Sequence, residues 1–168
     1  ITNKSPVDIA NINNFGISRI FQQSRLFENL TVKENLLLAF DSEDTKFFIN
    51  LLGIHKVTKE QEAKVKEMLG LVSVNKTENQ TARDLSYGQK RLIELLRAIL
   101  NPHKLLMLDE PVAGVNPLIR KQIAQLLIKL KKEGESILII EHDMNFILNI
   151  ADEVIVMDEG KVIAQGKP

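Results

Sequence analysis

Leu105-Leu106-Met107-Leu108, followed at once by Asp109, Glu110 and Pro111, constrains the fold of this chain more than any other stretch. A continuous apolar run too short for a helix, closed by a turn-forming proline, has the pattern of a strand covered on both faces. Such strands belong to parallel sheets sandwiched by helices. Open parallel sheets place their ligand crevices beyond the carboxyl ends of the strands, and this strand delivers two acids there. Because neighbouring side chains of a strand point to opposite sides, one acid can face a Mg2+ shell while the next, where the strand ends, turns toward an attacking water. The same residues also fit a buried strand that ends in two solvated acids, so the choice falls to the neighbouring motifs.

Downstream the pattern alternates between helix and strand. Asn116 and Pro117 supply an N-cap and a proline at the first helical position, Ile119, Ile123, Leu126, Leu127 and Leu130 keep one helical face apolar, and Gly134 closes the helix. Ile137 to Ile140 reads as a second buried strand, Asp143 to Ile150 as a short helix and Val154 to Met157 as a third strand, with a Glu159-Gly160 turn into Lys161 to Ala164. Strand and helix alternating at these loop lengths imply right-handed crossovers in an open α/β sheet. Upstream, residues 1–14 are polar and irregular, and the first strand-like run is Gly16 to Phe21. Thr31 with Glu34 and Thr58 with Gln61 have capping-box spacing and open helices, the second ending at Gly70 in a left-handed conformation. The middle third is therefore helical, and no internal repeat is present.

The chain has 168 residues, 44% of them hydrophobic and 26% charged, which is enough for one substantial core and one domain. Lys and Arg total 22 against 22 Asp and Glu, so no cationic field disposes it to bind a phosphate backbone non-specifically. With no cysteine, disulfides and thiolate metal sites are excluded, which fits a cytosolic setting. Apolar runs such as Leu36 to Phe40 fall far short of the roughly 18 residues of a spanning helix, so the chain is not expected to cross a membrane by itself. No basic-then-apolar leader opens the sequence.

Three further motifs bear on chemistry. Leu85-Ser86-Tyr87-Gly88-Gln89 precedes the helix Lys90 to Leu100, so a hydroxyl, a glycine backbone and a helix N-terminus converge where an anion is favoured and where Gly88 lets a phosphate approach the main chain. Ser86 and Gln89 also have the spacing of a simple capping box. Ile140-Glu141-His142-Asp143 ends the second strand and presents a histidine at the same sheet edge as Glu110. A lone histidine is more often structural, but this one stands at a strand's carboxyl end beside two acids. Gln22, just after the first strand, occupies a comparable position and would by itself be a loop residue.

Together and in this order, these elements resemble the nucleotide-binding subunit of ATP-binding cassette (ABC) transporters. Gln22 matches the Q-loop, Leu85 to Gln89 the signature sequence, Leu105 to Asp109 the Walker B strand, Glu110 the catalytic carboxylate, Ala113 to Asn116 the D-loop and His142 the switch histidine. Tyr87, the Phe21 to Phe27 segment and Ala113 to Pro117 look most like the ATPases of branched-chain amino acid importers. The resemblance implies an α/β, P-loop NTPase-like fold: a mostly parallel sheet flanked by helices, truncated at the N-terminus, with a helical subdomain that carries the signature. It divides the chain into a Q-loop region (1–28), a helical subdomain with the signature (29–101) and a core of Walker B, D-loop and H-loop (102–168).

The resemblance also implies roles. Asp109 would hold Mg2+ through its water shell, Glu110 would polarise the hydrolytic water, and His142 would contact the γ-phosphate. Gln22 would touch metal and water while its loop, Gln22 to Asn35, meets transmembrane permease subunits. Ser86, Gly88 and Gln89 would bind ATP held by a second ATP-binding subunit. Asn116 stands where many D-loops have aspartate, so any contact it makes across a dimer is uncharged. The implied function is ATP hydrolysis powering import of branched-chain amino acids or a similar small solute. ATP and Mg2+ are the cofactors, nucleic acid is not a partner, and the location is peripheral, at the cytoplasmic face of the cell membrane.

One departure stands out. The eight glycines form no Gly-x-x-x-x-Gly-Lys-Ser/Thr loop (Walker A), so no backbone nest cradles the phosphates, no lysine reaches them and no hydroxyl completes the Mg2+ shell. The expectation is therefore a C-terminal part of a longer cassette, inactive alone and without the family's adenine-stacking aromatic. The absent strand would lie between the His142 strand and the Val154 to Met157 strand, leaving a gap in the sheet. Such a piece is expected to be destabilised, to oligomerise or to pair its strands differently. Two other functions compete: a non-transport ABC ATPase, which the lack of sustained heptads, cysteines and a second signature disfavours, and a non-catalytic interaction fragment, which the retention of Glu110 and His142 disfavours and the missing phosphate loop favours.

Overall fold

The computed structural model describes residues 17–20, 26–40 and 57–168. Three parallel strands form the central sheet in the order β1 (Ile17–Ile20), β2 (Leu105–Asp109), β3 (Ile137–Ile140), with Ser18 opposite Leu106 and Asp109 opposite Ile140. The described part of the first strand is thus Ile17–Ile20, and Gly16 and Phe21 lie outside the described residues.

The helices begin where their caps put them. Thr31 caps α1 (Val32–Leu37), Thr58 caps α2 (Lys59–Leu71) and Ser86 caps α3 (Tyr87–Leu100), each through a complete capping box. Asn116 caps α4 (Pro117–Lys132), its Oδ1 accepting the Ile119 N–H at 3.0 Å, and Asp143 caps α5 (Met144–Ile150). Gly70 does not end its helix as expected. The helix runs on to Leu71, and Ser73 takes the left-handed conformation instead, at φ 55°. Burial of Val72 and Val74 explains the extension, because the chain must wind past Gly70 to bring both into the core.

Leu92, Ile93, Leu95 and Leu96 of α3, Leu106 and Leu108 of β2, and Ile123, Leu126 and Leu127 of α4 are all 2% exposed or less and share one core with Leu36, Val65 and Leu69. Truncating any of these leucines to alanine would cost about 2–5 kcal/mol. Ser18 Oγ donates to the Ala98 carbonyl at 2.9 Å, docking β1 on α3. Fully buried Asn35 accepts the Phe27 N–H at 2.8 Å and donates to the Phe27, Leu30 and Thr31 carbonyls, fixing the loop that enters α1.

Two features depart from a sheet covered on both sides. Leu106 and Leu108 are buried, but their alternates on the other face are not: Met107 is half-buried, and Leu138 and Ile140 are 45% and 55% exposed. No described helix covers that face, so apolar alternation replaces the two-sided burial expected of β2. Further on, β4 (Val154–Asp158) pairs antiparallel with β5 (Lys161–Gly166) in a separate two-stranded sheet. Left-handed Glu159 (φ 43°) and Gly160 (φ 77°) turn the hairpin. Among the described residues no strand pairs with the outer edge of β3 or bridges it to β4, which is where the sequence places a gap.

Candidate functional site

Parallel pairing of β2 with β3, Asp109 opposite Ile140, brings both strands to the same sheet edge. Asp109 alternates onto the open face with Met107, and these two with Leu108, Leu138 and Ile140 line a shallow groove. The next residue breaks the strand. Glu110 has φ 47°, a left-handed conformation that costs a non-glycine residue on the order of 1 kcal/mol and persists only where surroundings hold it. Its N–H donates to the Ile140 carbonyl at 2.9 Å, and its own carbonyl accepts the Ala113 N–H at 3.2 Å.

His142 comes to the same place. Its Nδ1 lies 3.5 Å from Glu110 Oε1 and 3.9 Å from Glu141 Oε2, with the imidazole 78% exposed and the Glu110 side chain 31% exposed. Glu141 is the reverse case, a carboxylate 1% exposed that accepts the N–H groups of Val112, His142 and Asp143. Asp143 accepts the Phe146 N–H at 3.0 Å and pairs with Arg120 of α4 at 2.5 Å. Those two partners, the backbone N–H first and the guanidinium after it, hold its carboxyl below the usual aspartate range.

The α3 entrance faces solvent at Ser86, where Ser86 N–H and Oγ both donate to Gln89 Oε1 at 2.9 Å. The capping-box arrangement is therefore formed. Gly88 is buried, and a Cβ there would stand 3.1 Å from Ile119 Cγ1, so the close approach its glycine permits within the described structure is to α4. Tyr87 reaches across to the segment after β2: its hydroxyl lies 3.5 Å from the Ala113 carbonyl and its ring rests against Gly114, which has φ 68°. Arg91, one helical turn further in, donates through Nη2 to the carbonyls of Asp109 and Glu110, each at 3.0 Å.

The fold thus gathers Asp109, Glu110 and His142 at two adjacent strand tips, with Ser86, Gly88 and Gln89 at a helix end tied to that region through Tyr87 and Arg91. Asn116 begins α4 a short way along the chain, and Gln22 lies outside the described residues. Arg91, Glu94, Arg120 and Glu141 were not singled out by the sequence. A charged residue within an otherwise apolar helix face was the available signal for Arg91 and Glu94, but their partners are fixed only by folding. Among the described residues no three His, Asp or Glu side chains converge to hold a metal ion. Mg2+ ordinarily takes one or two carboxylates together with waters and substrate phosphates, a share that Asp109 can supply.

Comparison with known proteins gives the family and the fold. The sequence model of the family described as ABC transporter matches residues 3–113. The probable branched-chain amino acid transport ATP-binding protein LivG of Archaeoglobus fulgidus is 38% identical over 170 residues, spanning 99% of this chain and 64% of that protein. The high-affinity branched-chain amino acid transport ATP-binding protein BraF of Pseudomonas aeruginosa is 38% identical over 158 residues, spanning 91% and 62%. The chain therefore spans less than two thirds of the length of these relatives. Among solved structures, a nucleotide-free ATP-binding cassette of an ABC transporter superposes with a TM-score of 0.75 at 33% identity, covering 99% of this chain and 66% of that one. A cassette in its ADP conformation gives 0.73 at 33% identity, covering 100% and 66%. This chain belongs to the ABC transporter family, and its fold is that of the family's ATP-binding cassettes.

Proposed function

We propose that the polypeptide carrying this chain is the ATP-hydrolysing subunit of an ABC importer for branched-chain amino acids or a similar small solute. The observation that carries this reading is the juxtaposition at the strand tips: Glu110 in a held left-handed turn, its carboxylate 3.5 Å from His142 Nδ1, beside Asp109 on an open face. Phosphoryl transfer to water needs positioning and charge neutralisation more than covalent chemistry. In this reading Glu110 orients the attacking water and accepts its proton, and exposed His142 donates to the γ-phosphate. Asp109 and Gln22 hold Mg2+, which when bound neutralises charge on the phosphate oxygens. Ser86, Gly88 and Gln89 act on the nucleotide of a second ATP-binding subunit, where the N-terminus of α3 offers backbone N–H groups to the γ-phosphate. Asn116 faces that subunit through the D-loop, and the Q-loop region meets transmembrane permease subunits at the cytoplasmic face.

The printed names of the LivG and BraF relatives support the solute class, and the solved cassette in its ADP conformation supports a nucleotide ligand. Among the described residues no helix is long and apolar enough to cross a membrane, consistent with a peripheral subunit. These 168 residues hold no Gly-x-x-x-x-Gly-Lys-Ser/Thr loop, and in this reading the phosphate-cradling loop belongs to the rest of the polypeptide. Among the described residues the outer edge of β3 has no strand partner and no helix covers the face beside Asp109, which offers room for the strand and helix that carry it.

The test uses the complete polypeptide mixed with Mg2+ and ATP. Equilibrium dialysis is expected to detect retained nucleotide, and sedimentation velocity a dimer that forms only with nucleotide. Neither retention nor association would overturn the enzymatic reading. A strain lacking the protein is expected to take up leucine, isoleucine and valine more slowly, and unchanged uptake of all three removes the solute assignment.

A further inference from the structure

Arg91 is a buried cation, 5% exposed, on a helix that otherwise contributes leucine and isoleucine to the core. Its charge is balanced within the helix, Nη1 standing 3.2 Å from Glu94 Oε2, a side chain 9% exposed. Its Nη2 reaches both the Asp109 and the Glu110 carbonyl oxygens at 3.0 Å. Successive carbonyls along an extended strand point to opposite sides, so one nitrogen reaches two in a row only where the chain has left the strand conformation. The left-handed turn at Glu110 is that departure. The backbone bonds of this turn run to β3 and to Ala113, and Arg91 ties it to α3.

We infer that Arg91 is a positioning residue for hydrolysis: by gripping the Asp109 and Glu110 carbonyls it holds the left-handed turn that aims the Glu110 carboxylate toward His142, and it ties that aim to the helix capped by Ser86. The inference rests on the role given to Glu110 above. A guanidinium suits the task because its fixed fork serves Glu94 with one nitrogen and the two carbonyls with another, whereas an ammonium is a single point of charge. Glu94 keeps the buried cation paired, since an unpaired charge at this depth would be strongly destabilising.

A stabilising ion pair and a grip on the turn make different predictions once both charges are removed together. Replacing a buried pair by apolar side chains of similar volume is often neutral for stability. In the complete polypeptide, Arg91→Met combined with Glu94→Met is therefore expected to unfold close to the wild-type temperature and to bind ATP with KM within about twofold. Its kcat is expected to fall about tenfold or more, and the Ala113 amide, bonded to the Glu110 carbonyl, to exchange hydrogen about tenfold faster. A double variant with wild-type kcat, or with wild-type exchange at Ala113, overturns the inference. Should the double variant not fold, Arg91→Lys keeps the charge against Glu94 but not the fork: reduced kcat at unchanged KM supports the grip, and wild-type kcat removes it. Hydrogen exchange does not depend on turnover. Wild-type protein that hydrolyses no ATP thus defeats the proposed function, while unchanged exchange at Ala113 in the double variant defeats the grip.

Discussion

Glu141 accepts the Val112 N–H at 3.1 Å through Oε1, while its Oε2 takes the N–H groups of His142 at 3.1 Å and Asp143 at 3.4 Å. One carboxylate, nearly removed from solvent, therefore ties the turn that leaves β2 to the turn that leaves β3. Those turns carry Glu110 and His142, so the spacing of the two strand tips depends on a residue whose side chain is too enclosed to meet a ligand.

Removing that carboxylate strands three backbone donors. The Val112 and Asp143 N–H groups are part-buried whereas that of His142 is exposed, and an unsatisfied buried group costs about 1–3 kcal/mol, so Glu141→Ala is expected to destabilise the complete polypeptide by roughly 2 kcal/mol in urea unfolding. Glu141→Gln keeps one acceptor oxygen and should lose less. An Ala variant with the wild-type midpoint would mean that the two tips are held by other means.

Glu110→Gln keeps the shape of the side chain but removes its capacity to take a proton. Turnover of ATP is expected to fall on the order of 10²–10⁴-fold while nucleotide binding, followed by dialysis, stays intact, and the nucleotide-bound dimer should accumulate. Undiminished turnover takes Glu110 out of its assigned part.

Ser86→Ala removes both the Oγ that accepts the Gln89 N–H and the Oγ donation to Gln89 Oε1. Loss of an N-cap costs about 0.5–2 kcal/mol, which thermal unfolding measures. If Ser86 also meets nucleotide held by a second subunit, nucleotide-dependent dimerisation weakens more than monomer binding does. Equal weakening of both restricts Ser86 to its capping duty.

Asp143 gives the molecule an acid-sensitive joint. Its carboxyl is held below the ordinary value of about 3.9 by the Phe146 N–H and then by Arg120, so the stability it contributes is complete above that value and is lost as pH falls through the lowered one. Asn caps a helix about as well as Asp but cannot pair with Arg120 as an anion. The melting temperature of wild type is therefore expected to exceed that of Asp143→Asn by a constant margin between about pH 5 and 7, and the margin should close below about pH 4. A margin independent of pH would show that the charge contributes nothing.

Much of this organisation is written locally. The caps at Thr31, Thr58, Ser86 and Asn116 were legible because a capping side chain meets a backbone N–H three residues away, a distance that sequence displays directly, whereas Asp143, read as the first residue of its helix, proved to be its cap. The apolar face of α4 and the delivery of Asp109, Glu110 and His142 to strand ends were legible for the same reason, since periodicity and strand length need no partner to be named. Gly70 shows the limit of local signals, because the pull of Val72 and Val74 into the core outweighed the helix end that a glycine permits.

By itself, then, the order of residues determined the element types, their caps, the parallel-sheet class and the chemical identity of the groups at the sheet edge. Tertiary structure alone decided which of those groups meet. Arg91 finds two carbonyls at the tip of β2, Glu141 binds Val112 across the sheet, and Gly88 admits Ile119. These contacts link elements far apart in sequence, where no periodicity carries information. The polar ones exist because packing leaves a buried charge or N–H group that must find a partner.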